Sequence, residues 1–408
     1  MSGRRTRREP AAKDKPQRRR TLVVLLVVLV GLAVYSVRPL TYQYHFRQAR
    51  RAFEAREYAA AVAALESAAA WRDSAEAHFW LARTYRHLNR PDRFTRHLQQ
   101  AVQRGLAPEL AEREQLLAVV QSGQIAMSDP RVAPLFVASD EDYFEVHDAM
   151  VRGAFETFDT ELALRLIDSW QQGFPQDPEP YVLRGMYFVF VQQWSAAEAE
   201  FREALERGSD RRDARLGLAK ALREQNRFAE ALREYRQCLA SEPDADVWFG
   251  IGECLKMQGS LEAARAAWER GLAADANHYD CLLALGELEL LANRWPAALR
   301  LLEQAVALKP HEFNVRYALA KTLLFSGSDA AAADQFRLAA DAQQAATRVA
   351  ALSTYVAEHP DDLEKRFEIA EILLSHGQTQ VGLSWLRGIL HLDPNHAAAR
   401  RRIAEITP

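Results

Sequence analysis

Cysteine is nearly absent: Cys238, Cys254 and Cys281 are the three in 408 residues. An odd number rules out a full disulfide framework, and no pair has the C-x-x-C spacing of a zinc knuckle or a thioredoxin-type site. Small buried helical residues are the expectation for all three. Glycine and proline number 18 and 16, so no long flexible or collagen-like tract is present. Catalytic signatures are missing as well. The chain holds no G-x-S-x-G, no H-E-x-x-H, no glycine-rich phosphate loop and no EF-hand loop. The histidines are scattered, with His278, His311, His359 and His396 mostly at turns. Asp140, Glu141 and Asp142 lack the rest of a calcium-loop pattern and are expected as a solvated turn before a helix. The expectation is no catalytic residue, no metal and no cofactor. An excess of positive charge is also lacking outside the amino terminus. Residues 1–40 carry ten cations and two anions, net +8, so a total of −3 leaves the remaining chain at −11. That balance excludes the basic footprint nucleic-acid binding needs.

One long hydrophobic run is present. Thr21 to Val37 carries no charge, and its seventeen residues make a helix of ~25 Å, just short of a ~30 Å hydrocarbon core. Arg38 can snorkel to the interface and Tyr35 can sit at the headgroups. A buried soluble helix does not fit, because the run has no polar face. Two readings remain: an uncleaved anchor over 21–40, and a cleaved secretory signal. Apolar length favours the anchor, and Val34-Tyr35-Ser36 is a poor cleavage site with Val and Ser in place of small alanines. Nine cations in the tail 1–20 precede the run, and Arg38, Arg47, Arg50, Arg51 and Arg56 follow it. This bias predicts the amino terminus in the cytoplasm and the rest outside it, in the periplasm if the cell is a diderm bacterium.

From about residue 42 onward, apolar residues recur at helical spacing and turn signals arrive every 14–18 residues. Self-comparison gives a period near 34. Ala197-x3-Phe201-x2-Ala204 aligns with Ala231-x3-Tyr235-x2-Cys238, Ala264-x3-Trp268-x2-Gly271, Ala298-x3-Leu302-x2-Ala305 and Ala332-x3-Phe336-x2-Ala339. Twelve places before each block stands a small residue: Gly185, Ala219, Gly252, Gly286 and Ala320. Small residues let two antiparallel helices approach closely, and the large one fills the gap toward the next unit. Pro243 and Pro310 then stop the second helix. One pair cannot bury its own apolar face, whereas stacked pairs share a continuous core. Trp194, Phe228 and Trp295 fit this packing.

The pattern resembles the tetratricopeptide repeat family, and in particular its bacterial membrane-anchored members. The resemblance implies an all-α fold: a right-handed superhelical solenoid of antiparallel helix pairs, following one transmembrane helix. Its copies extend to Ala163, Ile167 and Trp170, to Leu81, Ala82 and Tyr85, to Ala61 and Leu65, and to Ala370, Gly382 and Leu386. The expected layout is a basic tail over 1–20, the anchor over 21–40, repeats over 42–108 and a degenerate repeat or hinge over 109–143. The main array follows over 144–344, then an insert over 345–362, and a last repeat with a capping helix over 363–408. Arg215, Arg316 and Arg366 replace the usual aromatic near the start of three first helices, which predicts looser joints there.

The resemblance also implies a peptide groove lined by the first helices. Its fifth positions include Val182, Phe249, Leu283 and Tyr317; its ninth positions are Met186, Lys220, Glu253, Glu287 and Lys321; Arg223 holds a twelfth. The thirteenth positions include Phe190, Met257, Leu291 and Phe325, with Glu224 between the first two. The Lys and Asn residues with which some members clamp a chaperone's terminal carboxylate are missing. The leading expectation is an adaptor that holds protein partners at the membrane without a bond-making step. A self-associating structural subunit, with 345–362 filling the groove, is the alternative. An enzyme with an unrecognised site is a third.

Overall fold

A computed structural model describes residues 39–125, 129–137, 140–208, 211–239 and 244–407. Tail 1–20 and most of the expected anchor 21–40 lie outside the described residues. Among the described residues there are α-helices, one 3-10 helix and no strand. No helix among them is long and apolar enough to cross a membrane. The chain divides into two compact units, at Glu114/Gln115.

The first unit pairs α1 (residues 39–54) with α2 (Tyr58–Trp71) and α3 (Ala75–His87) with α4 (Pro91–Gln103). Its buried residues include Leu65, Ala68, Leu81, Ala82, Leu98 and Ala101. Arg83 and Arg86 of α3 converge on the buried carboxylate of Glu114, at 2.9 and 2.8 Å. Glu114 lies in α5 (Pro108–Gln121), the helix that carries the division.

Residues 109–143, expected as a degenerate repeat or a hinge, hold the rest of α5 and one 3-10 helix among the described residues. Gly123 follows α5 with φ +64, 34 residues after Asn89, the left-handed residue of the previous turn. The first helix and its turn are thus kept in register. In place of a second α-helix stands a 3-10 helix, Ala133–Val137, because Pro130 and Pro134 each remove a backbone donor.

The second unit then stacks pairs: α6 (Asp140–Glu156) with α7 (Thr160–Gly173), α8 (Glu179–Phe190) with α9 (Trp194–Glu206), α10 (Arg212–Glu224) with α11 (Phe228–Cys238). The stack continues with α12 (Ala245–Met257) and α13 (Leu261–Ala274), then α14 (Tyr279–Leu291) and α15 (Trp295–Leu308). It ends with α16 (Phe313–Phe325) and α17 (Asp329–Glu358), α18 (Leu363–Ser375) and α19 (Thr379–Leu392), and the cap α20 (Ala397–Ile406). Every pair turns on one left-handed residue. From Phe158 these fall at Gln192, Asn226, Gly259, Asn293 and Gly327, steps of 34, 34, 33, 34 and 34 residues.

Close approach of the first helix to the second accounts for the small residues. A Cβ on Gly252 would overlap the indole of Trp268, which is 1% exposed. Phe201 has Gly185 of its own repeat on one side and Gly217 of the next on the other. Joints are further tied by ion pairs between successive first helices: Glu179 with Arg211, Arg212 with Asp244, and His278 with Asp246 at 3.1 Å. The three arginines expected to loosen their joints each make a hydrogen bond near the start of their helix. Arg215 bonds Glu234 at 3.0 Å, Arg316 donates to the Pro310 carbonyl at 2.7 Å, and Arg366 donates to the Pro360 carbonyl at 2.8 Å. A guanidinium spans the gap an aromatic would fill and adds hydrogen bonds there.

The expected insert at 345–362 is no separate segment. Residues 345–358 continue α17, which runs 30 residues, about 45 Å at ~1.5 Å per residue. The insertion shifts the last turn residue, Gly377, to 50 places beyond Gly327. His278 and His396 accept backbone N–H groups as helix N-caps.

Gly252→Ala tests the packing rule. Helix propensity alone would stabilise α12 by ~1 kcal/mol. Overlap with Trp268 reverses the sign, and a net loss of about 1–3 kcal/mol is expected in urea unfolding of the chain.

Candidate peptide-binding groove

The first helices of the second unit pack on one another in sequence: α8 on α10, α10 on α12, α12 on α14, and α14 on α16. The second helices instead pack on the first helices on either side. In a bent two-layer stack, the inner layer is the one whose members close up. The first helices, which carry the candidate residues, therefore form the inner layer.

The thirteenth positions form a row of exposed apolar side chains. Leu291 is 77% exposed and Phe190 67%, and Met257 and Phe325 are exposed with them. Met257, Leu291 and Phe325 stand one repeat apart, so each occupies the same place on its helix. Met186 and Tyr317 add exposed apolar surface nearby in sequence. Side chains this large and this open in register go beyond the scattered apolar exposure of an ordinary surface.

Charged groups run beside this row. Arg223 bonds Glu224 at 2.6 Å and lies 5.9 Å over the Phe249 ring. Lys256 bonds Glu253 at 2.7 Å. Crowding by protein atoms raises the pKa of the exposed Glu287, against the pull of Lys256; Glu253 adds to the rise and Lys321 opposes it. Lys321 sits 5.7 Å from the Tyr317 ring. Lys220 is half-buried on α10. The groove thus carries alternating charge rather than one sign.

Val182 is a correction. It is 1% exposed and packs with Phe201 and Leu218, because its place on α8 faces the second helix and not the groove. Leu283 and Phe249 are half-buried against the cores around Leu302 and Trp268, and contribute edges at most. Lys256 was missed by sequence reasoning. It holds the same repeat position as Arg223, and that equivalence was the available signal.

Chemistry of bond making finds little here. All three cysteines are buried, and burial pushes the thiols of Cys254 and Cys281 up to about 11 and about 12, which leaves them un-ionised near neutrality. Among the described residues, no three metal-ligating side chains come together.

A stack of helix pairs with 34-residue register and an exposed apolar inner row defines a helical-repeat binding protein. The tetratricopeptide repeat profile matches residues 46–109, 182–237, 216–279 and 283–347, and the chain belongs to that family. Proteins of this family are protein–protein interaction scaffolds. The chain is 30% identical over 156 residues to the Protein CTR9 homolog of Arabidopsis thaliana, a match covering 37% of this chain and 14% of that protein's length. It is 32% identical over 77 residues to the TPR repeat-containing protein PA0015 of Pseudomonas aeruginosa, covering 19% of this chain and 73% of that one. Similar solved structures include the type IV pilus biogenesis factor PilW, at 19% identity over 51% of this chain and 94% of that one, TM-score 0.44. Another is the Cut9-Hcn1 assembly, at 13% identity over 92% of this chain and 99% of that one, TM-score 0.39.

Exposure makes a sharp stability contrast. Leu291→Glu and Phe325→Glu are each expected to change unfolding free energy by no more than about 0.5 kcal/mol. Val182→Glu places an unpaired carboxylate in the core and is expected to abolish cooperative unfolding of the second unit. Thermal melts followed by circular dichroism separate the two outcomes.

Proposed function

We propose that this protein is a membrane-anchored adaptor that binds a peptide segment of partner proteins in the concave groove of its second unit, without catalysing a reaction. The exposed row of Phe190, Met257, Leu291 and Phe325 carries this reading. Packed helices lie ~8–10 Å apart, and an extended chain advances ~3.3 Å per residue. An extended ligand would therefore meet successive thirteenth positions about every third residue. Apolar anchors at that interval suit Met257, Leu291 and Phe325, and Glu224 favours a cation or a polar residue between the anchors for Phe190 and Met257. Lys220, Arg223, Glu253, Glu287 and Lys321 then set register through charge.

A peptide array with apolar residues at every spacing from two to seven tests this. Binding is expected at intervals near three, and the Leu291→Glu/Phe325→Glu double variant is expected to weaken it at least about tenfold, the equivalent of ~1.4 kcal/mol. Equal binding of the double variant to the same peptides would remove the groove from the account.

The uncharged run from Thr21 to Val37 supports anchoring in the cytoplasmic membrane, and the cation bias supports an extracytoplasmic array. After alkaline extraction the full chain is expected in the membrane pellet, and a chain lacking residues 1–40 in the supernatant. Amino-terminal sequencing that begins after Ser36 would replace the anchor with a cleaved signal.

A further inference from the structure

We propose that the second unit closes on itself: the last repeat docks on the turn of the first complete pair, making the stack a ring held by a small latch. This goes beyond the groove reading and does not depend on what the groove binds.

The contact joins residues more than 220 positions apart. Phe158, in the turn between α6 and α7, stacks on Trp385 of α19 with ring centroids 4.6 Å apart and planes at 27°. Ser384 Oγ donates to Glu156 Oε2 at 3.1 Å. His391 Nε2 lies 3.6 Å from Asp159 Oδ2, and Asp159 also caps α7 through the Leu162 N–H. Each pair between α6 and α19 packs on its neighbour, so this contact completes a circuit.

Two features of the sequence fit the latch. The first is Phe158 itself. The equivalent residue in the other turns is Arg56, Asn89, Gly123, Gln192, Asn226, Gly259, Asn293, Gly327 or Gly377, all at positive φ. A phenylalanine at φ +58 is an unfavourable choice for that backbone, where asparagine or glycine sits without strain. Its ring has a partner on α19 that an asparagine could not engage. The second is Gly388, in the middle of helix α19, where glycine weakens the helix. A Cβ there would lie 2.7 Å from the Thr157 carbonyl oxygen, so the docking distance requires glycine. Strain on one side and a weak helix residue on the other serve the same contact.

The 14-residue continuation of α17 supplies the geometry. It carries α18 and α19 four turns along a helix axis before the stack resumes, packing them through Leu352 and Val356 on Ile369 and Leu373. Without it, the last repeat would follow Gly327 by the ordinary step.

Two variants open the latch while favouring local structure. Phe158→Asn installs the residue that the register prefers, and Gly388→Ala improves helix propensity, so neither is expected to unfold its own pair. The readout is cross-linking of Asp159→Cys with His391→Cys, two half-buried positions that face each other across the contact, by a short bismaleimide in the full chain, the three native cysteines being buried. Rapid intramolecular cross-linking is expected in the otherwise unchanged chain. A drop of about tenfold or more in rate is expected when Phe158→Asn or Gly388→Ala is added. Hydrogen exchange of 156–160 and 383–391 is expected to quicken in both variants, with 197–305 unchanged. Rates unaffected by both substitutions, or a cross-linked product that is a dimer, would overturn the closed ring.

Discussion

Phe201 has a glycine on either side of its ring, Gly185 from its own repeat and Gly217 from the next. Everything else in the second unit depends on that arrangement of one large side chain between two missing ones. It lets three helices share a single buried residue, so no pair has a complete core alone. Trp268 against Gly252 and Leu302 against Gly286 repeat the device with different shapes at the same register. Stability is then a property of neighbouring interfaces, and curvature follows from how closely the first helices approach. The exposed apolar row is a consequence of the same register. A helix whose fixed positions face the second helix presents its thirteenth position outward in every copy.

Spacing made the repeats legible, because burial between antiparallel helices imposes a period on residue size. The cap α20 and the capping role of turn residues such as His278 and His396 were within reach for the same reason. What spacing does not carry is the direction of one side chain. Val182 has an eligible repeat number, but it faces Phe201, and only the surrounding side chains decide that. The arginines at 215, 316 and 366 illustrate the converse. Absence of an aromatic was a sound reason to expect a gap, yet a guanidinium reaches carbonyl and carboxylate oxygens that an aromatic cannot use.

The half-repeat insertion shows a further limit. A segment of 14–18 residues that breaks a 34-residue period can form an extra helix, a loop or a continuation of the helix before it. Residues 345–358 are rich in alanine and contain neither glycine nor proline, so nothing stops α17 until His359-Pro360. Local propensity chose continuation, and the consequence is long-range. A rigid helix transmits its extra length to everything that follows it.

Residues that defy their local register are therefore the informative ones. Asn and Gly at left-handed turns are explained by the turn itself. Phe158 is not, and neither is a mid-helix glycine such as Gly388. In a repeat protein the repeats serve as each other's controls: a departure with no local benefit has to be compensated by a contact outside its own pair. Both departures lie on the two sides of one contact, Phe158 facing Trp385 and Gly388 facing Thr157 across it. That coincidence, rather than the size of the contact, is what distinguishes a built closure from two ends that happen to meet.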